Sequence, residues 1–368
     1  MKKPLMVIGA RQIGKTYTIT EFCKNEFEKY VYVNLFDHTE IVNIFKQDIN
    51  TSEKYKRMKI YLDIDIDVSN TVIFFDEVQE SEELISSLKY FNESEEPFKI
   101  VCAGSLLGVK LKRMKASFPV GKVTMLNMYP MDFEEFLIAM NQQLLIDLIK
   151  DSYDNNKAIS KPIHEKALNL YRIYLYTGGM PESVKSMVKT NGDYIKYDKS
   201  IINDILSSYF KDMNKYVSND AEALKINRVY NSLPSQLLNI SSKFQYSNID
   251  ANARAREYAI SNDWLEASNM VLKCEGVNTP KSPLKANTED NFKLYLSDIG
   301  ILRVLANIDK NEILLDKNMI YKGVLAENYV VSSTEMNIGQ ALPNGVTLKT
   351  AALAMADWAT ITGVTNDT

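Results

Sequence analysis

The first stretch that could carry chemistry is residues 9–16, which read GARQIGKT and match the pattern G-x-x-x-x-G-K-[ST]. Gly9 and Gly14 have no Cβ, so the backbone between them can wrap around a phosphate and present its N–H groups. Lys15 can reach the β- and γ-phosphates of a nucleotide, and the hydroxyl of Thr16 can ligate Mg²⁺. The pattern therefore predicts a P-loop.

This pattern stands between a predicted strand and a predicted helix, as a P-loop requires. The apolar run Leu5 to Ile8 precedes it, and a helix over about 15–27 follows, with the positive end of its dipole directed at the anion. The alternative is a chance match in a glycine-containing turn. The residues predicted to contact the nucleotide are those of the loop and the first helical turn: Gly9, Ala10, Arg11, Gln12, Ile13, Gly14, Lys15, Thr16 and Tyr17.

A pair of acidic residues follows a second apolar strand. Residues 72–75 form a continuous apolar run, as expected for a central parallel strand covered on both faces, and Asp76 and Glu77 come directly after it. Open α/β sheets place their ligands at this end of a strand. We predict that Asp76 holds Mg²⁺ through its water shell and that Glu77 is the general base on the attacking water. The alternative is a solvated strand end.

A third apolar strand is predicted over residues 99–105 and ends in Gly104 and Ser105. A small polar residue at this strand tip can hydrogen-bond the γ-phosphate or the attacking water, so Ser105 is predicted to sense the nucleotide. The alternative is an ordinary strand-end turn, which the Gly-Ser pair also favours.

Strands and helices alternate along the first 140 residues. Further strands are predicted at 31–35 and 123–128, and helices near 40–47, 82–92 and 132–140. Such alternation predicts an α/β fold, in which a parallel sheet is flanked by helices on both faces.

Composition narrows the class of protein. The 368 residues carry a net charge of −4, so the chain lacks the global positive charge of a strong nucleic-acid binder. The 3 cysteines lie far apart and the 2 histidines are too few for a histidine metal site or a Ser-His-Asp triad. Apolar runs are too short to span a bilayer, and no signal peptide precedes the first strand, so a cytoplasmic protein is expected.

Several longer strings occur in an order that resembles a known family, and they cover about residues 4–331. These strings are GARQIGKT, FFDEVQ, SLKYF, AGSLLGV, FPVGKV, YPMDFEEFL, YLYTGGMPESV, LPSQL, ARAREY, PKSPLK, FKLYLSDIGIL and KGVLAENYV. The chain is similar to bacterial AAA+ ATPases that carry a C-terminal domain of unknown function. These are relatives of the archaeal ATPases and of the STAND signalling ATPases.

The resemblance implies ATP binding and hydrolysis with Mg²⁺. It implies Lys15, Glu77 and Ser105 as catalytic residues, with Thr16 and Asp76 at the metal. Residues 179–181, Gly-Met-Pro, resemble the element with which STAND-type ATPases contact adenine, which adds Pro181 to the nucleotide site. The alternative is simple helix punctuation by glycine and proline.

Lys122 stands where many AAA+ relatives place an arginine that meets a γ-phosphate. A lysine supplies a point charge without the planar fork of arginine. The alternative is a solvated charge at the start of a strand.

The resemblance also implies a domain order. We expect a P-loop ATPase core at 1–145, a helical lid at 146–220, a winged-helix-like domain at 221–283, a partial nuclease-like domain at 284–331 and an atypical tail at 332–368. Long helices are predicted over 164–190, 199–216, 221–238 and 252–267. The chain begins almost at the first strand and its tail lacks a family counterpart, so truncation at both ends is expected.

Partners are less constrained by the sequence than the nucleotide is. Arg254 and Arg256 are predicted near the start of a recognition-like helix, where they could contact DNA phosphates, or where the unit could instead pack on the ATPase. An unidentified protein partner and a regulator that binds ATP without hydrolysing it remain alternatives. A kinase is disfavoured because the sequence contains no recognisable acceptor-substrate site.

The nuclease-like fold that the resemblance implies would need clustered carboxylates. Asp298 and Glu327 are present, but the expected later strand with its acidic pair is not found. After about residue 332, Ala, Thr and Gly dominate and Lys349 is the one lysine.

Overall fold

The computed structural model describes residues 3–64, 67, 70–96, 98–114, 118–217, 219–238, 243–276, 291–314 and 322–339. The chain divides into two compact units, residues 1–128 and residues 129–368, and each is described by itself. The predicted tail beyond residue 339 lies outside the described residues, as do 277–290 and 315–321, which fall in the predicted winged-helix-like and nuclease-like domains.

A five-stranded parallel sheet forms the centre of the first unit, in the order β2-β3-β4-β1-β5. Together with the helices around it, this sheet confirms the predicted α/β fold. The strands are β1 Leu5–Ile8, β2 Lys29–Asn34, β3 Thr71–Asp76, β4 Lys99–Gly104 and β5 Thr124–Asn127.

Burial along the strands follows their position in the sheet. Every residue of β3 is buried, as its uninterrupted apolar sequence predicts for a strand covered on both faces. All four residues of β5 are exposed, because β5 is an edge strand that pairs only with β1 among the described residues. Because β3, β4 and β1 are neighbouring parallel strands, the polar residues that follow them lie together at the carboxyl-terminal edge of the sheet.

Apolar clusters cover both faces of this sheet. The larger cluster includes Val33, Phe75 and Cys102, and the smaller includes Val7, Phe74 and Ala103. Alternate residues of the same strands thus face opposite sides. The helices of this unit are α1 Lys15–Glu26, α2 Thr39–Lys46, α3 Thr51–Leu62, α4 Glu82–Glu93 and α5 Leu107–Arg113.

The sequence reading missed α3. This helix is rich in Lys and Tyr and presents a weak apolar periodicity, so the pattern gave no signal. A local capping signal was present, because the Asn50 side chain accepts a hydrogen bond of 2.8 Å from the backbone N–H of Glu53.

The second unit is mostly helical and carries a two-stranded antiparallel sheet. Its helices and strands are α6 Phe133–Ala139, α7 Gln143–Asp154, α8 Lys161–Thr177, α9 Pro181–Lys189, α10 Ser200–Lys215, α11 Asp220–Leu238, α12 Ala255–Ala267, β6 Val271–Glu275, β7 Phe292–Leu296, α13 Ile299–Leu305, α14 Lys310–Leu314 and α15 Lys322–Gly339. None of the helices in the described part of the chain is long and apolar enough to cross a membrane.

One helix of this unit differs from the sequence prediction. The helix predicted over 164–190 is two helices, α8 and α9, because the chain turns at Gly178 with φ 75° and restarts at Pro181. The predicted domain boundaries stay predictions.

Candidate functional site

The predicted P-loop is a tight turn between β1 and α1 in the first unit. Gln12 and Gly14 adopt left-handed backbone conformations with φ 65° and 89°, and α1 begins at Lys15. Gly9 is required by space, since a Cβ there would lie 2.3 Å from the carbonyl oxygen of Met128. Gly9 and Gly14 are therefore needed for the backbone conformation of the loop.

Lys15 lies inside this loop with 7% of its surface exposed. Its Nζ donates hydrogen bonds to the carbonyl oxygens of Gly9 at 2.9 Å and Ala10 at 2.6 Å. Burial lowers the pKa of Lys15 to about 8, and the nearby carboxylates of Glu77 and Asp76 partly oppose that shift. The loop therefore holds a cationic donor that its own carbonyl groups keep in place.

The other loop residues predicted to contact the nucleotide differ in solvent exposure. Ala10 and Ile13 are buried and support the loop. The exposed residues are Arg11, Gln12, Thr16 and Tyr17. Tyr17 is 73% exposed, so its side chain extends into solvent.

Asp76 joins the end of β3 to the P-loop helix. The Thr16 hydroxyl donates a 2.7 Å hydrogen bond to Asp76 Oδ2, and the backbone N–H of Glu77 donates to Asp76 Oδ1 at 2.9 Å. Sixty positions separate Thr16 from Asp76 in the chain, yet parallel packing of β1 and β3 around β4 brings their polar ends together. The structure thus assembles the two predicted metal ligands.

Tyr32 is a site residue that the sequence reading missed. Its hydroxyl donates to Asp76 Oδ2 at 3.2 Å, and its ring packs edge-on against Phe74. Burial and the adjacent Asp76 carboxylate together raise the pKa of Tyr32 to about 12, so it stays a neutral donor. The alternation of residues in β2 signals only which face Tyr32 occupies, because its partner comes from the next strand in the sheet.

Glu77 follows Asp76 with left-handed backbone angles, φ 55° and ψ 42°. Such angles are uncommon for a residue with a Cβ, and they redirect the chain from β3 into a short 3₁₀ turn, Val78–Glu80. Glu77 Oε2 accepts hydrogen bonds from Gln79 Nε2 at 2.5 Å and from Ser105 Oγ at 3.5 Å. The structure therefore brings Glu77 and Ser105 to the same edge of the sheet.

The donor set at this edge fits Mg²⁺. Thr16 and Asp76 offer a hydroxyl and a carboxylate oxygen, which are hard ligands, and nucleotide sites usually add only one or two protein ligands to phosphates and water. The described residues contain no group of three or more His, Cys, Asp or Glu side chains that could hold a metal by themselves. A metal at this edge would therefore take its remaining ligands from nucleotide phosphates and water.

The side chain of Lys122 is engaged in an ion pair. Its Nζ lies 2.9 Å from Glu93 Oε1 at the end of α4, and both side chains are about half exposed. This contact matches the alternative reading of a solvated charge just before β5.

The Gly-Gly-Met-Pro stretch lies in the second unit, where Pro181 begins α9. A Cβ at Gly178 would approach Asp298 Oδ1 to 2.6 Å, and one at Gly179 would approach the Met131 carbonyl oxygen to 1.9 Å. These glycines are therefore required for close packing within the second unit. The adenine contact of Pro181 stays a prediction.

The two carboxylates considered for nuclease chemistry have structural partners. Asp298 caps α13 and accepts hydrogen bonds from the backbone N–H groups of Gly179 at 2.6 Å and Ile301 at 2.9 Å. Glu327 accepts from Lys293 at 2.9 Å and from the Tyr295 hydroxyl at 2.6 Å. Each carboxylate is thus engaged with its own partners.

Two family models match separate parts of the sequence. Residues 1–137 match the family model described as an AAA domain. This match ends within α6, and a second family model, described as a domain of unknown function, matches residues 168–312. An uncharacterized protein of Methanocaldococcus jannaschii is 25% identical over 179 residues, or 48% of this chain and 35% of that protein. The chain spans about a third of the length of this curated relative.

Solved structures that align with this backbone include three archaeal proteins. The Walker-type ATPase of Pyrococcus abyssi is 12% identical and covers 82% of this chain and 90% of its own, with a TM-score of 0.48. The Aeropyrum pernix ORC2 protein in its ADPNP–ADP complexes is 13% identical and covers 89% of each chain, with a TM-score of 0.40. The Aeropyrum pernix ORC1 protein in complex with DNA is 12% identical and covers 83% and 87%, with a TM-score of 0.32.

Proposed function

We propose that the AAA domain binds ATP together with Mg²⁺ and hydrolyses it, so that the chain works as a nucleotide-driven switch. The observation that carries this proposal is the 2.7 Å hydrogen bond between Thr16 of the P-loop and Asp76 of β3. It joins the two oxygen ligands that P-loop enzymes use for Mg²⁺ at one point beside the phosphate loop. A chance glycine turn would not require a carboxylate at that position.

The P-loop residues bind the triphosphate in this proposal. Backbone N–H groups of the loop and the start of α1 surround the phosphates, where the helix dipole favours negative charge. Lys15 exchanges its two carbonyl partners, Gly9 and Ala10, for the β- and γ-phosphate oxygens. When bound, Mg²⁺ neutralises developing charge on these phosphates.

Hydrolysis then depends on the residues that follow β3 and β4. Glu77 accepts a proton from the attacking water as general base, and Ser105 orients that water or the γ-phosphate. Asp76 stays hydrogen-bonded to Tyr32, which keeps its carboxylate directed toward Thr16. Lys15 stabilises negative charge on the transferred group. The difference between ATP-bound and ADP-bound states would drive the switch.

We expect Lys15→Met to weaken ATP binding by about 10- to 100-fold, because charge-assisted hydrogen bonds contribute about 1.5–3 kcal/mol. Titration with a fluorescent ATP analogue and Mg²⁺ measures binding, and phosphate release measures turnover. Lys24→Met is the matched control, since Lys24 lies on the same helix, is exposed and pairs with Glu21.

Three outcomes of this experiment are informative. Equal ATP affinity in Lys15→Met and the wild type would contradict the P-loop assignment. Binding that depends on Lys15 but yields no phosphate in the wild type would favour the alternative of a nucleotide-gated regulator without hydrolysis. Binding and turnover that both depend on Lys15 support the proposal.

DNA binding is the second candidate function. Two exposed arginines and the order of helices and strands in the second unit support it. Arg254 and Arg256 are exposed at the N-terminal end of α12. The element order α11, α12, β6 and β7 is the one expected of a winged helix, whose second helix enters DNA grooves. Acidic Asp250, Glu257 and Asp263 accompany these arginines, so any phosphate contact is confined to the helix start.

For this candidate, replacing Arg254 and Arg256 together with alanine should reduce the salt dependence of DNA binding by about one unit of slope per lost phosphate contact. Fluorescence anisotropy of a labelled duplex over a series of salt concentrations measures that slope. Arg228→Ala is the control, because Arg228 is an exposed arginine on α11. An unchanged slope in the double variant would exclude these arginines from DNA contact.

A further inference from the structure

We infer that Gln79 is the positioning residue for Glu77, a role that rests on the proposed ATP hydrolysis. The Gln79 side chain holds one oxygen of the Glu77 carboxylate so that the other oxygen can accept the proton of the attacking water. Gln79 is absent from the set of residues predicted from the sequence, although it lies only two positions after Glu77.

The geometry around Gln79 supports this role directly. Gln79 is 5% exposed and its Nε2 donates a 2.5 Å hydrogen bond to Glu77 Oε2. In the described part of the chain, the other donor to this carboxylate is Ser105 Oγ at 3.5 Å, also on Oε2. Both donors thus bind Oε2 of Glu77, and Oε1 of Glu77 is left as the acceptor for water.

Only one orientation of the Gln79 amide satisfies this contact. An ionised carboxylate has no donor, so the amide NH₂ must face Glu77 and the amide oxygen must face away. That oxygen, Gln79 Oε1, is buried and has no hydrogen-bond partner among the residues that the structure describes. Leaving a buried acceptor unsatisfied is unfavourable, so folding alone would favour an apolar side chain at this position.

Gly104 makes room for this amide. A Cβ at Gly104, the last residue of β4, would lie 2.1 Å from Gln79 Oε1 and 3.3 Å from its amide carbon. The Gly-Ser strand tip therefore has two separate uses. Gly104 accommodates the Gln79 amide and Ser105 contacts the Glu77 carboxylate.

The backbone of the turn keeps Gln79 in reach of Glu77. Val78 is fully buried in the larger core cluster, and Ser81 caps α4, its Oγ accepting a 3.1 Å hydrogen bond from the backbone N–H of Leu84. Between these two anchors, the Glu80 N–H donates to the Glu77 carbonyl at 3.1 Å. The turn is thus fixed at both ends, and a general base on a fixed turn avoids misplacement relative to its water.

The test compares Gln79→Met, Glu77→Gln and the double variant with the wild type. Gln79→Met removes the donor at similar side-chain volume, and we expect kcat for ATP to fall by about 10- to 100-fold, since small misplacements of catalytic groups have such effects. KM for ATP should stay within about twofold of the wild type. In the Glu77→Gln background, Gln79→Met should cause no further loss, because Gln79 acts through Glu77.

Two further variants separate positioning from general structural damage. Gly104→Ala should lower kcat in the same direction as Gln79→Met, because the added Cβ displaces the amide. Gln143→Met is the control for loss of a glutamine-to-carboxylate hydrogen bond, since Gln143 donates to Asp147 at 2.9 Å on an exposed face of α7. It should leave kcat unchanged.

The outcomes separate this inference from the proposed function. Wild-type turnover with an unchanged kcat in Gln79→Met overturns the role of Gln79, as does an equal additional loss in the Glu77→Gln background. If the wild type lacks turnover, hydrolysis fails, and crystal structures then test the positioning itself. The Glu77 carboxylate should hold one conformation in the wild type and several in Gln79→Met, and a single unchanged conformation in the variant would overturn the inference.

Discussion

Replacing Glu77 with glutamine is expected to lower kcat for ATP hydrolysis by about 10²- to 10⁴-fold, the usual contribution of a general base. Glutamine has nearly the same shape but cannot accept a proton from water. ATP binding should persist, because the proposed site uses Lys15 and Thr16, not Glu77, to hold the phosphates and the metal. The expected variant thus binds ATP and retains it.

Single-turnover phosphate release and binding of a fluorescent ATP analogue measure the two parts of this result. Glu80→Gln is the matched control, since Glu80 lies in the same 3₁₀ turn and is exposed. If Glu77→Gln hydrolyses ATP at the wild-type rate, another group activates the water and the role of Glu77 is wrong.

Replacing Asp298 with alanine is expected to destabilise the second unit by about 2–4 kcal/mol. The helix cap is lost, which costs about 1 kcal/mol, and a buried N–H group of Gly179 is left unsatisfied, which costs about 1–3 kcal/mol. Chemical denaturation followed by circular dichroism measures the free energy of unfolding. Asp309→Ala is the control, because Asp309 is exposed and accepts a 2.8 Å hydrogen bond from Asn311 just inside α14.

The difference between the wild type and Asp298→Ala should depend on pH. Burial raises the pKa of Asp298 to about 6 from its ordinary value of 3.8, so the folded state binds more protons than the unfolded state between these values. The wild type therefore loses stability relative to the variant as pH rises from about 4 to about 6, and the difference is constant above that range. A difference that grows with pH over this range would contradict the buried environment of Asp298.

Local patterns in the sequence were enough to predict the P-loop and the acid pair. The spacing of Gly9, Gly14 and Lys15 encodes a backbone shape within eight residues, and the run before Asp76 encodes a buried strand. Both signals are local, so neighbouring residues alone can carry them. The five-stranded parallel sheet followed from the same alternation of strands and helices.

Other parts of the fold and site had a weak local signal or none. Helix α3 has a weak apolar stripe, with only the Asn50 cap to mark its start. The break between α8 and α9 is marked locally by Gly178 and Pro181, but the close packing of Gly178 against Asp298 involves a residue far along the chain. Tyr32 and Gln79 gain meaning only from the carboxylates they contact. Lys122 likewise has an ion-pair partner, Glu93, that no local pattern indicates.

The sequence by itself determined which residues could bind a triphosphate, because the P-loop is a continuous segment whose glycines, lysine and threonine act through their own backbone and side chains. Only the tertiary structure decided which side chains surround that loop. Thr16 meets Asp76, and Gln79 fits against Gly104, because parallel strands from distant parts of the chain end at the same edge of one sheet. Strand order is a property of the packed core, and no spacing within the chain encodes it.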